Sequence, residues 1–408
     1  MQTALADFIR DTESGQEANA ILRTCVHCGM CNATCPTYQL LGDELDGPRG
    51  RIYLIKQMLE GADITRSTLT HLDRCLTCRN CETTCPSGVR YGQLLEIGRE
   101  LAEQKVSRPA QDRLARWVLR NIIPYPARFT PLLQLGQLIR PLMPPFLKRS
   151  VPPPRAAGPW PATMHSRKML VLQGCVQPAI APNINAVTAR VLDRLGISLM
   201  VAPGAGCCGA ASHHTSGMQD GLDFARRNID AWWPFIESGA EAIVMTASGC
   251  GVHVKEYGHL LKRDPAYAAK AGKVAELTKD ISEILSQEDL SKLPSDAKPG
   301  MKVAFHSPCS LQHGQKLNGV VEKILRGAGL TLIAVPDAHL CCGSAGTYSI
   351  LQKRLSRPLL ANKMASLESG GPEVIATANI GCLAHIQSGT SLPVRHWIEI
   401  LDRSATPH

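Results

Sequence analysis

Residues 25–36 read CVHCGMCNATCP, and residues 75–86 read CLTCRNCETTCP. The first stretch places cysteines at Cys25, Cys28, Cys31 and Cys35, and the second at Cys75, Cys78, Cys81 and Cys85, both spaced C-x2-C-x2-C-x3-C-P. Three cysteines at intervals of three can wrap a tight loop around one face of a compact inorganic core, with the loop's N–H groups aimed at the sulfurs. The fourth cysteine follows four residues later and points away from that loop. Structural zinc sites use separated C-x2-C pairs, so four cysteines within eleven residues argue against zinc.

This spacing is the run used by bacterial two-cluster ferredoxins, in which the fourth cysteine ligates the other cluster. It predicts two [4Fe-4S] clusters with crossed ligation. Cys25, Cys28, Cys31 and Cys85 hold one; Cys75, Cys78, Cys81 and Cys35 hold the other. His27 lies inside the first loop, but cysteines already fill the iron positions. It is read as a loop residue that tunes solvent access or hydrogen bonding.

The remainder of the 408 residues is long enough for one or two further domains. With 44% hydrophobic and 19% charged residues the balance is that of a globular protein. Sixteen cysteines in a chain with ample core and no secretory signal indicate bound metal in the cytosol rather than disulfides. No apolar run reaches the roughly 18 residues of a transmembrane helix. The net charge of +9 falls to about +5 once two thiolate-ligated cubanes are counted at about −2 each, and nucleic acid is not an expected partner.

The expected fold class is α + α/β: an N-terminal α-helical two-cluster ferredoxin domain followed by two duplicated α/β cysteine-rich (CCG) modules. Residues 1–105 form the cluster domain, with helices in LLGDELDGPRGRIYLIKQMLEG and YGQLLEIGRELAEQ. Residues 106–165 are a basic, Pro-rich helical connector, whose helices either pack on the rest of the chain or offer a docking face to a partner subunit or membrane surface. Residues 166–298 and 299–408 are the two modules. KMLVLQGC, SLMVAP and AIVMTASGC read as strands in the first, around helices in NINAVTARVLDRLG and MQDGLDFARRNIDAWWPFIES. KVAFHSPC, TLIAVP and EVIATANIGC repeat the strands, and QKLNGVVEKILRGAG and LLANKMASLESG repeat the helices. Cys175 precedes Cys207-Cys208-Gly209 by 32 positions, as Cys309 precedes Cys341-Cys342-Gly343.

In each repeat the cysteines fall where strands end, and the carboxyl ends of parallel strands line the binding crevice of an open sheet. Cys175, Cys207, Cys208 and Cys250, and likewise Cys309, Cys341, Cys342 and Cys382, are therefore candidate ligands of a further metal or iron–sulfur cluster. The alternative is that they are buried packing residues. Cys250-x2-His253 and Cys382-x2-His385 add a candidate imidazole to each module. Gly204 to Gly209 fits the dinucleotide pattern G-x-G-x-x-G, but the second repeat reads AHLCCG there, so the shared element is CCG and that reading is set aside. His213 and His214 are read as exposed loop residues. The chain carries no flavin signature and no candidate catalytic residue.

Seven stretches go further: CPTYQLLGDELDGPRGRIYLIKQ, HLDRCLTCRNCETTCPSGVRY, NIDAWWPFIESGAEAI, TASGCGVHVKEYG, HLCCGSAGTY, TANIGC and VRHWIEI. Through them the chain resembles, over nearly its whole length, the iron–sulfur subunit of glycolate oxidase (glycolate dehydrogenase). Paired CCG modules place that family in the heterodisulfide-reductase-like iron–sulfur superfamily. The resemblance implies a non-catalytic electron-transport subunit in a hetero-oligomer. Partner subunits bearing FAD would oxidise glycolate to glyoxylate, and this chain would pass the electrons toward a quinone at the cytoplasmic face of the inner membrane. In heterodisulfide reductase the module ends in C-x2-C, whereas here it ends in C-x2-H, which leaves a four-thiol site or an empty one. Other readings stay open: a subunit of a related flavin-linked lactate or glycerol-3-phosphate dehydrogenase, a disulfide-reductase-like enzyme using the CCG site, or a zinc-stabilised scaffold.

Overall fold

Apolar residues at helical spacing in the first hundred positions can leave water only if several helices pack face to face. The computed structural model describes residues 1–144, 148, 151–293 and 300–402. Its chain divides into one unit of Met1–Arg116 with His339–Lys363 and another of Trp117–Ala338 with Met364–His408. In the first unit, helices Glu13–Thr24, Pro48–Leu59, Arg66–Asp73 and Tyr91–Lys105 bury Ile21, Leu22, Ile55, Leu59, Leu72, Leu94 and Leu95 almost completely. Pro48 opens its helix directly after the Gly47 N-cap, where a missing N–H costs nothing. The preceding Glu44–Asp46 is a separate 3-10 turn. Cys25 directly follows the first of these helices and Cys75 follows the third by two residues, so both cysteine loops are anchored by buried helix ends. Tyr348 Oη donates to Arg74 O at 3.0 Å and Asn80 Nδ2 to His339 O at 3.2 Å, which fasten the His339–Lys363 segment within the same unit.

The second unit contains two parallel sheets. The first comprises β1 (Arg167–Val171), β2 (Ile197–Val201), β3 (Ile243–Met245) and β4 (Thr278–Asp280), in the order β2-β1-β3-β4. The second comprises β5 (Lys302–His306), β6 (Thr331–Leu332), β7 (Val374–Thr377) and β8 (Val394–His396), in the order β6-β5-β7-β8. Leu170 pairs with Met200 on one side and Ile243 on the other; in the second copy Val303 pairs with Leu332 and Val374. Helices cover parallel sheets on both faces, which is why β3 and β7 are buried throughout. The helices Asn183–Arg194, Met218–Glu237, Val320–Gly327 and Lys353–Glu368 fall on the stretches expected for them.

Three details differ from expectation. The edge strands β4 and β8 are additional; each has three residues, Thr-Lys-Asp and Val-Arg-His, too short and polar to show a strand pattern. TLIAVP is strand only at Thr331–Leu332. Cys250 and Cys382 sit not at strand ends but in the helices Ser248–Lys255 and Ile380–Gln387, because β3 and β7 stop early and one extended residue, Ala247 or Asn379, caps each helix. The modules join through these helix starts: Ser248 Oγ lies 2.8 Å from Ser310 Oγ, and Gly249 N donates to Asn379 Oδ1 at 3.2 Å. The connector forms helices Ala110–Ile122 and Pro126–Ile139. Residues 145–147, 149–150 and 294–299, which include the expected boundary between modules, lie outside the described residues.

β8 ends on His396, which caps the helix Trp397–Ile400: its Nδ1 accepts from Ile398 N at 3.3 Å, and its own N–H donates to Glu399 Oε2 at 3.0 Å. Burial pushes this imidazole down to about 4, against a smaller opposing effect of the Thr246 and Ala378 backbone. A histidine held neutral in the fold contributes stability that is complete above its unfolded value near 6.5 and is lost as pH falls toward 4. His396→Asn keeps a capping acceptor and removes the titration. Denaturant unfolding at pH 7 and pH 4 is expected to show the parent losing about 3 kcal/mol more than the variant over that window.

Candidate metal centres

The two cysteine loops of the first unit share one backbone trace. Left-handed φ occurs at the same two positions of each, at His27 (60°) and Gly29 (83°) in the first and at Thr77 (53°) and Arg79 (60°) in the second. Such turns direct successive N–H groups into a concavity that favours negative charge, and Thr77 N–H donates to Cys75 Sγ at 3.4 Å. Arg99 holds the second loop from outside, donating to Leu72 O, Cys75 O and Thr77 Oγ1.

Cys25, Cys28, Cys31 and Cys85 line one cavity of about 450 Å³; Cys35, Cys75 and Cys78 line a neighbouring one of about 300 Å³; Cys81 lines both. The fourth cysteine of each motif thus sits with the other motif's loop. Tyr91 and Pro48 also border both cavities. His27 lines the first without joining a group of potential ligands. Five sulfurs line the first cavity and four the second, so each has the donors of a four-thiolate site, the chemistry that suits an iron–sulfur cluster.

Cys31 and Cys81 resist ionising by themselves. Burial, then the neighbouring Cys25, pushes Cys31 up to about 11, and burial with Cys78 raises Cys81 well above the ordinary thiol range. Only a bound cationic centre lets four thiolates share so small a volume. The second cavity has a fixed counter-charge. Arg51 is fully buried, and it donates to His71 O at 2.7 Å, Thr37 Oγ1 at 3.2 Å and Asp46 Oδ1 at 3.4 Å. Burial opposes the Arg51 charge, but Cys75, Tyr91, Cys35 and Asp46 outweigh it and raise its pKa. Asp46 also receives Arg74 at 2.8 Å and faces His71 Nδ1 at 3.1 Å. Tyr91 Oη donates to Cys75 Sγ at 3.6 Å. None of these polar residues was singled out from sequence, since Arg51 and Asp46 read simply as parts of a polar helix start.

In the first CCG module, β1, β2 and β3 all end toward one site. Cys175 and Cys207, Cys207 and Cys208, and Cys208 and Cys250 are neighbours that act on one another electrostatically, so the four thiols form a continuous row. Cys175 is raised by Cys207 and by burial, and the CCG pair, against the pull of the preceding thiol, is raised by the next one in the row and by burial. Gly209 makes the turn possible. Its φ is +94°, and a Cβ there would lie 2.6 Å from Gly221 O on the helix Met218–Glu237. Tyr257 Oη donates to Cys208 O at 2.6 Å, and Asn228 Nδ2 to Cys207 O at 2.8 Å, clamping the turn from the other side. In the second module Gly343 repeats the arrangement, with φ +87° and a notional Cβ 2.8 Å from Ser356 O, and Cys342 is fully buried. Cys309 and Cys382 belong to the second unit, where Asn379 Nδ2 donates to Cys382 Sγ at 3.5 Å. His385 lies on the helix that carries Cys382. His213 departs from expectation: it is buried, because the helix Met218–Glu237 crosses the turn so closely that a Cβ on Gly221 would lie 3.0 Å from His213 Cβ. His214 is exposed, as expected.

Residues 21–89 match the 4Fe-4S dicluster domain family, and residues 169–255 and 303–387 each match the cysteine-rich CCG domain family. Fold and thiol sites together define an iron–sulfur protein with a two-cluster ferredoxin unit and a duplicated CCG domain. The chain is 58% identical over 405 residues to the glycolate oxidase iron-sulfur subunit of Escherichia coli, covering 99% of both chains. It is 29% identical to a probable glycolate oxidase iron-sulfur subunit of Bacillus subtilis, covering 90% of this chain and 89% of that one. Lactate utilization protein A of Bacillus velezensis is 32% identical over 58% of this chain and 99% of its own length. A hypothetical protein from Helicobacter pylori shares the fold, with a TM-score of 0.55 at 10% identity over 97% of this chain and 73% of that one. The chain belongs to the glycolate oxidase iron-sulfur subunit family.

Arg51→Met would leave the buried Asp46 carboxylate without its central partner. Denaturant unfolding of the cluster-loaded protein is expected to show a loss of about 3–5 kcal/mol. Lys273→Met, which breaks an exposed pair with Glu276, should change stability by less than about 1 kcal/mol.

Proposed function

We propose that this chain is the electron-transfer subunit of a glycolate-oxidising complex. In this reading, Cys25, Cys28, Cys31 and Cys85 ligate one [4Fe-4S] cluster and Cys75, Cys78, Cys81 and Cys35 the other. The observation that carries it is the division of the eight thiols between two adjacent cavities, with Cys81 on the wall between them. Bound there, each cluster supplies one-electron redox chemistry. The protein's own part is to hold the thiolates, to set Arg51 as a counter-charge beside the second site, and to shield the first site with Ile52 and Val89 and both sites with Tyr91. Glycolate oxidation itself falls to flavin-bearing partner subunits, and quinone is the acceptor. The CCG cysteines of the first module, already in a row, are the candidate holders of a further cluster on that path.

No helix among the described residues is long and apolar enough to cross a membrane. A peripheral position on the inner membrane is supported by the helix Pro126–Ile139 and the turn after it. Leu135, Leu138 and Leu142 are 57%, 77% and 88% exposed there, with Arg128 and Arg140 beside them. Apolar side chains with basic neighbours suit an anionic lipid surface.

The crossed ligation is tested by electron paramagnetic resonance of the reduced protein. Cys85→Ser should abolish the same signal as Cys28→Ser, and Cys35→Ser the same signal as Cys78→Ser; the opposite pairing refutes the assignment. Iron content should be about eight per chain with two cubanes alone and higher if CCG sites are loaded. Glycolate-dependent dye reduction should require the partner subunits, and its appearance with this chain alone would overturn the relay.

Membrane association is read by cosedimentation with vesicles of anionic phospholipid. The parent chain is expected to pellet, and Leu138→Glu with Leu142→Glu to remain in the supernatant; equal pelleting would remove the helix from the contact.

A further inference from the structure

Beside the thiol row of the first module lies a second donor set that the electron-transfer reading does not use. We propose that His213, His214 and His253 form a mononuclear zinc site with one coordination position open to solvent. One ring nitrogen from each residue lies within 4.8 Å of the others. The ring centroids are 5.3 Å apart for His213–His214, 5.3 Å for His213–His253 and 5.9 Å for His214–His253. Zinc–imidazole bonds of 2.0–2.1 Å in a tetrahedral site put donor nitrogens about 3.3 Å apart, so closure asks the three rings to draw together from a spacing of at most 4.8 Å.

Two rigid elements hold the donors. His213 and His214 close the turn that follows Cys207-Cys208-Gly209, pinned by Gly221 and by Arg120, which donates to Thr215 O at 3.3 Å. His253 lies on the helix Ser248–Lys255, one turn after Cys250, with its ring edge against Tyr257 at 5.8 Å. His213 and His253 are buried and His214 is exposed, so an ion has a route in and a fourth ligand has a place. Three protein ligands and an open position is the arrangement of exchangeable zinc, and an all-imidazole set suits zinc rather than magnesium or calcium.

The duplication supplies a control within the molecule. Positions equivalent to His213 and His214 in the second module are Thr347 and Tyr348, and only His385 matches His253. The module's architecture is therefore built without the triad, and the three imidazoles are particular to the first copy. A bound ion would tie the CCG turn to the helix bearing Cys250, bracing the thiol row from outside.

The full chain, anaerobically loaded with iron and sulfide, is titrated with Zn2+ alone. Expected are one zinc per chain above the iron, a zinc-edge X-ray absorption spectrum with nitrogen or oxygen neighbours near 2.0 Å, and a rise in Tm on zinc addition. His214→Ala, at an exposed position that leaves the fold intact, should weaken zinc binding more than about a hundredfold, beyond the range seen for outer-shell partners. His385→Ala should leave it unchanged. Absence of stoichiometric zinc, a sulfur-only zinc shell placing the metal on the cysteines, or unaltered binding by His214→Ala would each overturn the site.

Discussion

Negative charge gathered in a small volume is the constraint on which the first unit depends. Eight thiols from residues 25–85 converge on two touching cavities, and each filled cavity would carry about −2. Burial alone would keep Cys31 and Cys81 protonated. Left-handed turns bring N–H dipoles to the sulfurs, and Arg51 brings a full positive charge. A lone buried guanidinium would be as costly as the thiolates, so Asp46 and the carbonyl of His71 accompany it. The helical core then serves mainly to hold those groups in register.

The CCG modules meet the same demand with a different scaffold. In a β2-β1-β3-β4 order, the crevice opens where the chain leaves β1 on one side for β2 and then crosses to the other side of β1 for β3. Cys175 follows β1, the CCG pair follows β2, and Cys250 follows β3, so the three connections deliver their thiols to one point. Placing Cys250 on the first turn of a helix, instead of on the strand, also gives the fourth thiol the favourable dipole of that helix start.

Much of this was legible in sequence, and the parts that were not share a cause. Cysteine spacing reported the cluster motifs because ligand geometry acts over a few residues. The duplication showed in the matched interval from Cys175 to Cys207 and from Cys309 to Cys341. Strands β4 and β8 were silent because three residues are too few to show a periodicity, and they exist through pairing with β3 and β7. Arg51 looked like any helix cation until Asp46, Thr37 and His71 were brought around it. His213 looked like a loop residue until the helix Met218–Glu237 covered it. Each of these depends on contacts that a local pattern does not encode.

The contact between Gly209 and Gly221 divides the CCG signature into two kinds of residue. Its cysteines face the crevice and touch one another, whereas its glycine lies where two stretches of main chain meet with no room for a side chain. Gly343 against Ser356 repeats this in the second copy. The demand on the glycine is one of main-chain space and does not depend on what the thiols hold. A lineage that abandoned metal altogether would shed the first two letters of the motif and retain the third, so a solitary glycine facing a helix backbone is the trace such a module would leave behind.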